Sequence, residues 1–461
     1  MKVHLLLAFI GSLLVADFGY AQAPVGWRGT GTGVFSDPSP PTTWSTEENV
    51  IWATKMPNRT NAHPVIVGDK VFTCSEPFEL LCFRLEDGEL LWRQSNSYRD
   101  VTDDELWKTV QAELSVAGEL RKRQVVIKAM LEELENRDSK TDRDDARVTE
   151  LSQQSEQLEA ELKELSLASR YTLPVTQRQY NGYTTATPTS DGENIWAVFG
   201  NRVVVCYDLN GERQWSRVLP DHPQSMWGHS SSPLLVGDKL IVNIESIVGF
   251  DTKTGKQVWR TKYGQSWGSA VHGRIGDVDV ALLPNGRILR VSDGTILDRV
   301  PTTLADASPV VSEGIAYYIG INAMAYPFPS QLGDELELTA KWEASHRGSR
   351  FYASAVIHDG LIYAVSTNHV LNVLDASNGQ TIYKKRLNLG REPVWASLCV
   401  AGNYLYVSSR DGTTLVIETG GRYKELSRNT LEYFISTPVF HENRMYVRTS
   451  ERLYCIGESY K

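Results

Sequence analysis

A four-strand unit that recurs along the chain constrains everything else the chain can do. It is clearest at residues 229–263. Ser232 to Val236 reads as a first strand, and Gly237-Asp238 as a tight turn, since both residues tolerate positive φ. Leu240 to Ile244 is a second strand and Ser246 to Asp251 a third. Thr252 to Gly255 turns the chain again, and Gln257 to Thr261 is the fourth, with Trp259 four residues past the turn glycine.

That offset repeats from Gly88 to Trp92, Gly211 to Trp215 and Gly379 to Tyr383. First strands start at Ala62-His63-Pro64, Ala186-Thr187-Pro188, Ser232-Pro233, Gly268-Ser269, Ala307-Ser308-Pro309, Ala353-Ser354, Ala396-Ser397 and Ser436-Thr437-Pro438. Most starts lie roughly 37–46 residues apart, the period of a β-propeller with four strands per blade. One blade cannot bury both faces of its sheet, so blades must stack radially and close. Glu48 to Lys55 has the form of a fourth strand, with Trp52 in place, but lacks the three strands that should precede it. The unit at 436–461 has three strands and no fourth. The two fragments complete each other and leave no sheet edge. The expected fold is all-β: an eight-bladed β-propeller of four-stranded blades, closed by an N-terminal strand at Val50 to Lys55.

The Ser-x-Pro start, the Val-Gly-Asp turn and the Phe-Asp-x-Lys-Thr-Gly-Lys-x-x-Trp end resemble the pyrroloquinoline-quinone-type propeller repeat. Quinoprotein alcohol dehydrogenases and BamB-like lipoproteins of the outer-membrane assembly machinery share it. The resemblance covers residues 50–98 and 174–461. It implies a propeller and leaves function open, because the family holds both enzymes and non-enzymes.

Residues 1–23 read as a secretory signal: Lys2 is the positive start, Leu5 to Val15 the apolar run, and Ala21-Gln22-Ala23 the cleavage site. The alternative is a buried N-terminal helix. No cysteine follows the run, so a BamB-like lipid anchor is unsupported, and no later stretch is apolar enough to span a bilayer. The expected product is soluble and exported, periplasmic or extracellular. A net charge of −9 argues against nucleic acid or anionic lipid as a partner. Residues 24–98 then comprise an extended lead-in, the closing strand and the first blade, and 174–461 the remaining blades.

Residues 99–173 break the period. Thr102-Asp103-Asp104-Glu105 reads as a capping box. Leu106, Val110, Ala117, Leu120, Ile127, Leu131 and Leu134, then Val148, Leu151, Leu158, Leu162 and Leu165, follow the seam of an antiparallel coiled-coil hairpin, with Glu113 and Gln124 filling gaps. The arm is expected to fold as a local unit, so that removing 100–172 leaves the propeller intact. It offers a route to a partner or a second copy; its charged faces read equally as solvated surface.

Cys82, Cys206 and Cys455 share one place in three third strands, a small apolar slot; Cys74 and Cys82 flank a hairpin and could pair. No metal-ligand spacing appears. Trp52, Trp92, Trp215, Trp259 and Trp342 read as packing between sheets. Residues just before the first strands should ring one mouth of the central channel. There Tyr183, Trp227, His229, Trp267, Arg350, Tyr352, Arg391 and Trp395 place aromatics beside His and Arg, either as rim packing or as a ligand site. Two function classes follow. One is a non-catalytic exported propeller that binds protein, peptide or glycan. The other is a quinoprotein dehydrogenase. The resemblance implies that such an enzyme packs pyrroloquinoline quinone between a Trp and a disulfide of adjacent cysteines, with calcium on acidic and amide side chains. The chain has no adjacent cysteines, so the expectation is no cofactor and no metal.

Overall fold

The computed structural model describes residues 24–458, apart from 138, 140, 178–179, 221–225, 265, 302–303, 305 and 346–349. The signal read at 1–23 lies outside the described residues. Eight antiparallel sheets form the blades of a propeller. In order, they span 65–95, 189–218, 234–262, 271–299, 310–345, 356–386, 399–430, and 439–456 joined by Val50–Lys55. The last sheet closes as expected. Trp52 pairs with Cys455, Thr54 with Leu453 and Lys55 with Arg452, all antiparallel. A second addition was not foreseen: Val34–Phe35 lies parallel to the innermost strand of blade seven, Val34 opposite Val400.

The spacing of glycine and tryptophan has a physical cause that runs between blades. Each turn glycine receives the indole of the preceding blade. A Cβ on Gly88 would fall 2.5 Å from the ring of Trp52, on Gly211 2.9 Å from Trp92, on Gly255 2.4 Å from Trp215, and on Gly379 2.4 Å from Trp342. Gly294 receives Trp259 in the same way at 2.4 Å. Each indole Nε1 also donates to a carbonyl beside that turn: Trp52 to Leu85, Trp92 to Leu209, Trp215 to Thr252, Trp259 to Val291 and Trp342 to Ala376, at 2.8–3.1 Å. Apolar area and the polar tip are thus satisfied together.

The cysteine slot belongs to the same device. Trp52, Trp92 and Trp215 lie directly across from Cys455, Cys82 and Cys206; Trp342 faces Ala325 and Trp259 faces Gly249. Only a small side chain fits under the indole, and a Cβ at Gly249 would stand 2.2 Å from its ring. All five cysteines are buried free thiols, so Cys74 and Cys82 do not pair.

The insertion is a helical hairpin. Helix α1 is Asp104–Glu135, α2 is Asp142–Glu164, and a short α3 is Ser166–Tyr171. At 1.5 Å per residue, the 32 residues of α1 reach about 48 Å. Its cap is Asp103, which accepts from Leu106 N at 2.8 Å, not Thr102, whose hydroxyl turns back to Tyr98 O. The capping box occurs instead at Thr141 and Asp144, starting α2. Leu120, Ile127, Leu134, Leu151 and Leu158 form the shared seam. Glu113 is no gap-filler: its carboxylate accepts from Leu167 N and Ala168 N, capping α3.

The arm is not independent at its base. Val110, Leu114, Leu167 and Tyr171 pack into one cluster with Phe78, Tyr183 and Phe199 of the first two blades. The fully buried Arg202 donates to Tyr98 Oη at 2.9 Å, to Thr172 O at 3.2 Å and to Arg170 O. Excising 100–172 would uncover that cluster and take the Arg170 and Thr172 carbonyls from the guanidinium, which keeps Tyr98 Oη and Leu219 O, so the arm cannot be removed whole without cost. Two outcomes follow. Replacing 115–163 by a short turn should leave the melting temperature nearly unchanged, whereas excising 100–172 should lower it or abolish folding. Gly255→Ala, at φ 62°, should destabilise by about 2–4 kcal/mol through strain and overpacking, while Gly118→Ala, in open space on α1, should stabilise by about 0.5–1 kcal/mol. Denaturant unfolding measures both signs.

Candidate functional site

Each first strand is innermost in its blade, so the residue that opens it faces the axis. There the Ser or Thr of one blade accepts the backbone N–H of the same position in the preceding blade. His63 N donates to Thr187 Oγ1, Thr187 N to Ser232 Oγ, Ser232 N to Ser269 Oγ and Ser269 N to Ser308 Oγ. Ser308 N continues to Ser354 Oγ, Ser354 N to Ser397 Oγ and Ser397 N to Thr437 Oγ1, all at 2.8–3.3 Å. A hydroxyl belt therefore runs around the channel, with His63 at the eighth place.

The lead-in closes the channel below the belt. Val25 bridges to Ser190 on one side, and Val34 pairs with Val400 on the other. Between them Arg28 is fully buried, its Nη2 donating to Ala355 O and Leu398 O, both at 2.8 Å. Gly33 leaves room for the guanidinium, since a Cβ there would fall 2.4 Å from Nη2. No carboxylate pairs with Arg28 among the described residues, and its Nε and Nη1 have no partner. Burial lowers its pKa to about 10. Desolvation, with the charge of Arg28 added, holds His63 down to about 3, so that this imidazole is neutral.

Above the belt opens a cavity of about 430 Å³. Of the residues expected at the mouth, Trp227, Trp267, Arg350, Tyr352 and Trp395 line it. Tyr183, His229 and Arg391 do not. Tyr183 turns into the core beside Phe78, its ring centroid 5.1 Å away, and its N–H and that of Thr184 donate to the buried Glu76 carboxylate at 2.7 and 3.0 Å. His229 is buried, with desolvation lowering its pKa to about 4. Arg391 is exposed at the rim.

Several lining groups were missed. Tyr180, which follows the arm in sequence, lies at the mouth. It stacks on Trp395 at 5.7 Å and 13°, meets Trp227 edge-on at 5.3 Å, and carries Arg410 over its face. Asn61 and Arg59 hold its carbonyl. Asp306 is gripped at both oxygens by Arg350, at 2.8 and 3.1 Å, and Arg350 in turn lies over the Tyr352 ring. Tyr180 and Asp306 lie in loops without periodicity. A signal did exist for the belt, in the Ser or Thr that opens nearly every first strand.

With this geometry in view, comparison with known proteins is informative about fold. Residues 168–297 match the family model described as outer membrane protein assembly factor BamB, so the pyrroloquinoline-quinone-type repeat is present. BamB from Moraxella catarrhalis aligns with TM-score 0.53 at 12% identity, covering 89% of this chain and 98% of that one. A quinohemoprotein alcohol dehydrogenase from Pseudomonas putida aligns with TM-score 0.55 at 11% identity, covering 94% and 81%. Another, from Comamonas testosteroni, gives 0.52 at 8%, covering 89% and 77%. No curated protein matches.

The lining residues do not fit a quinone with calcium of the kind the resemblance implies. Among the described residues no cysteine borders the cavity, and its one carboxylate, Asp306, is already paired. Among the described residues no group of three or more His, Cys, Asp or Glu side chains could hold a metal ion.

The buried histidines give the propeller a pH dependence. The unfolded chain protonates them from pH 6.5 downward, whereas the folded protein resists until about pH 4 at His229 and about pH 3 at His63. Their neutral burial therefore costs nothing above pH 6.5 and erodes stability as pH falls through that window. For His229 the gap is worth about 3 kcal/mol. Urea unfolding at pH 7 and pH 4 should show a smaller loss for His229→Gln than for the wild type; equal losses would refute the assignment.

Proposed function

We propose that this chain of pyrroloquinoline-quinone-type repeats is an exported, non-catalytic binding or scaffold protein of the cell envelope, and that it needs neither quinone nor metal. The observation that carries this reading is the lining of the channel cavity: among the described residues it includes no cysteine, and its one carboxylate is already paired. Trp27 and Arg28 close one side, Tyr180 lies over the other, and Asp306 between them is held by Arg350. A quinone held with calcium needs oxygen ligands on the metal, and the carboxylate in this lining is taken by Arg350. The BamB family match supports a protein partner, and the arm supplies the reach for one. Export is supported by the sequence at 1–23; no helix among the described residues is long and apolar enough to cross a membrane.

Two measurements test this. Protein purified from its native compartment should begin at Pro24, as read by N-terminal sequencing. Reconstitution with pyrroloquinoline quinone and calcium, followed by a dye-linked alcohol oxidation assay, should give no turnover above a heat-treated control. Robust turnover would instead establish the quinoprotein dehydrogenase reading, which the shared fold keeps as the alternative.

A further inference from the structure

The hydroxyl belt is only half used. Each Oγ accepts an N–H from the neighbouring blade, which leaves its own proton to give. Ser232, Ser269, Ser308, Ser354 and Ser397 all line the cavity. Among the described residues, none of these five hydroxyls donates to a protein acceptor. Five donors thus converge on one small volume. Asp306 is held by Arg350, while Asn61 and Asn181 give their amide N–H groups to Tyr180 O, Thr185 Oγ1 and Trp227 O and so keep their Oδ1 atoms as acceptors for a ligand's own hydroxyls. His63, more than nine-tenths buried and neutral, borders the same space with Nδ1 unpartnered. Beneath it, Arg28 contributes a positive charge that no carboxylate answers among the described residues.

A donor-rich wall over an unpaired cation selects an oxyanion. A carboxylate, which only accepts, can take several of these protons at once, whereas a neutral polyol must also place its own O–H donors. Above the belt the walls change character. Trp267, Tyr352 and Trp395 present aromatic surface, interrupted by Arg350 and Asn181. A wholly apolar body would strip water from those polar groups without replacing it, whereas a pyranose ring offers a C–H face and peripheral hydroxyls at once. The volume lies within the small-ligand range.

We propose that the channel mouth binds a carboxylated sugar, a uronic acid unit. Its carboxylate sits on the serine hydroxyls above His63, and its ring lies against the Trp267–Tyr352–Trp395 wall. This deepens the binding reading above and rests on it.

The test titrates the intact protein with D-glucuronate, D-glucuronamide, D-glucose and acetate, by calorimetry and by tryptophan fluorescence. Glucuronate should bind and perturb the fluorescence, with the amide and glucose at least about tenfold weaker, the loss expected when charge-assisted hydrogen bonds go. Ser308→Ala and Ser354→Ala should each weaken glucuronate about tenfold and leave glucose unchanged. Thermal melting reports whether these variants fold; if either does not, the ligand series on the intact protein decides alone. Equal affinity for acid, amide and glucose, or no binding of glucuronate, overturns the proposal. Acetate as tight as glucuronate overturns the sugar component. Turnover with pyrroloquinoline quinone and calcium would sink the non-catalytic reading instead, a result separate from the sugar series.

Discussion

Each blade is held to the next by an indole laid on a glycine, and the ring is the sum of those contacts. The contact sets the spacing of two sheets to within the thickness of an aromatic ring, because any side chain at the glycine would occupy the indole's place. It also sets direction, since the indole N–H must reach a carbonyl beside the same turn. Where the indole is missing, other groups take over. Between blades four and five, Asp298 accepts from Leu338 N. Between blades six and seven, Tyr363 Oη accepts from Gly420 N. Between seven and eight the lead-in itself is the filler: Trp44 is buried against Tyr406 and Phe440, and Asn429 holds the backbone of Thr42 and Trp44.

This explains why the fold was legible and the site only partly so. A glycine and a tryptophan four residues apart look like one hairpin. In fact the glycine serves the tryptophan of the blade before, and the tryptophan serves the glycine of the blade after. A pairwise contact repeated around a ring must leave a periodic trace, so blade number and the closing strand could be read directly. The mouth has no such obligation. Trp267, Tyr352 and Trp395 were found because they precede first strands, yet Tyr183 holds the same position and points inward, drawn to Phe78 and anchored by Glu76. Tyr180 and Asp306 arrive on loops whose path depends on what they meet across the channel, and that is written nowhere locally. Arg28 was invisible for a similar reason: it lies in a glycine-rich lead-in, and its partners are carbonyls more than 300 residues away.

The arm shows how a local pattern can be right and its boundary misleading. The heptad-like seam correctly paired α1 with α2, but a seam says nothing about where the helices stop belonging to each other. Glu113, polar in an apolar row, marks that place. It caps α3, and from there inward the same helix face packs on the propeller. Tyr180 stands nine positions past Tyr171, the last residue of α3, so the arm and the mouth are close neighbours in sequence.

The closing strand has a temporal meaning as well. Residues 50–55 pair only with 452–456. A chain delivered from its N-terminus therefore carries an unpaired strand until residues 452–456 have been made. Blades one to seven can each form from neighbouring residues, but the ring between them stays open until that segment arrives. Closure is thus a late checkpoint: a chain truncated before residue 452 keeps its early strand exposed and cannot lock.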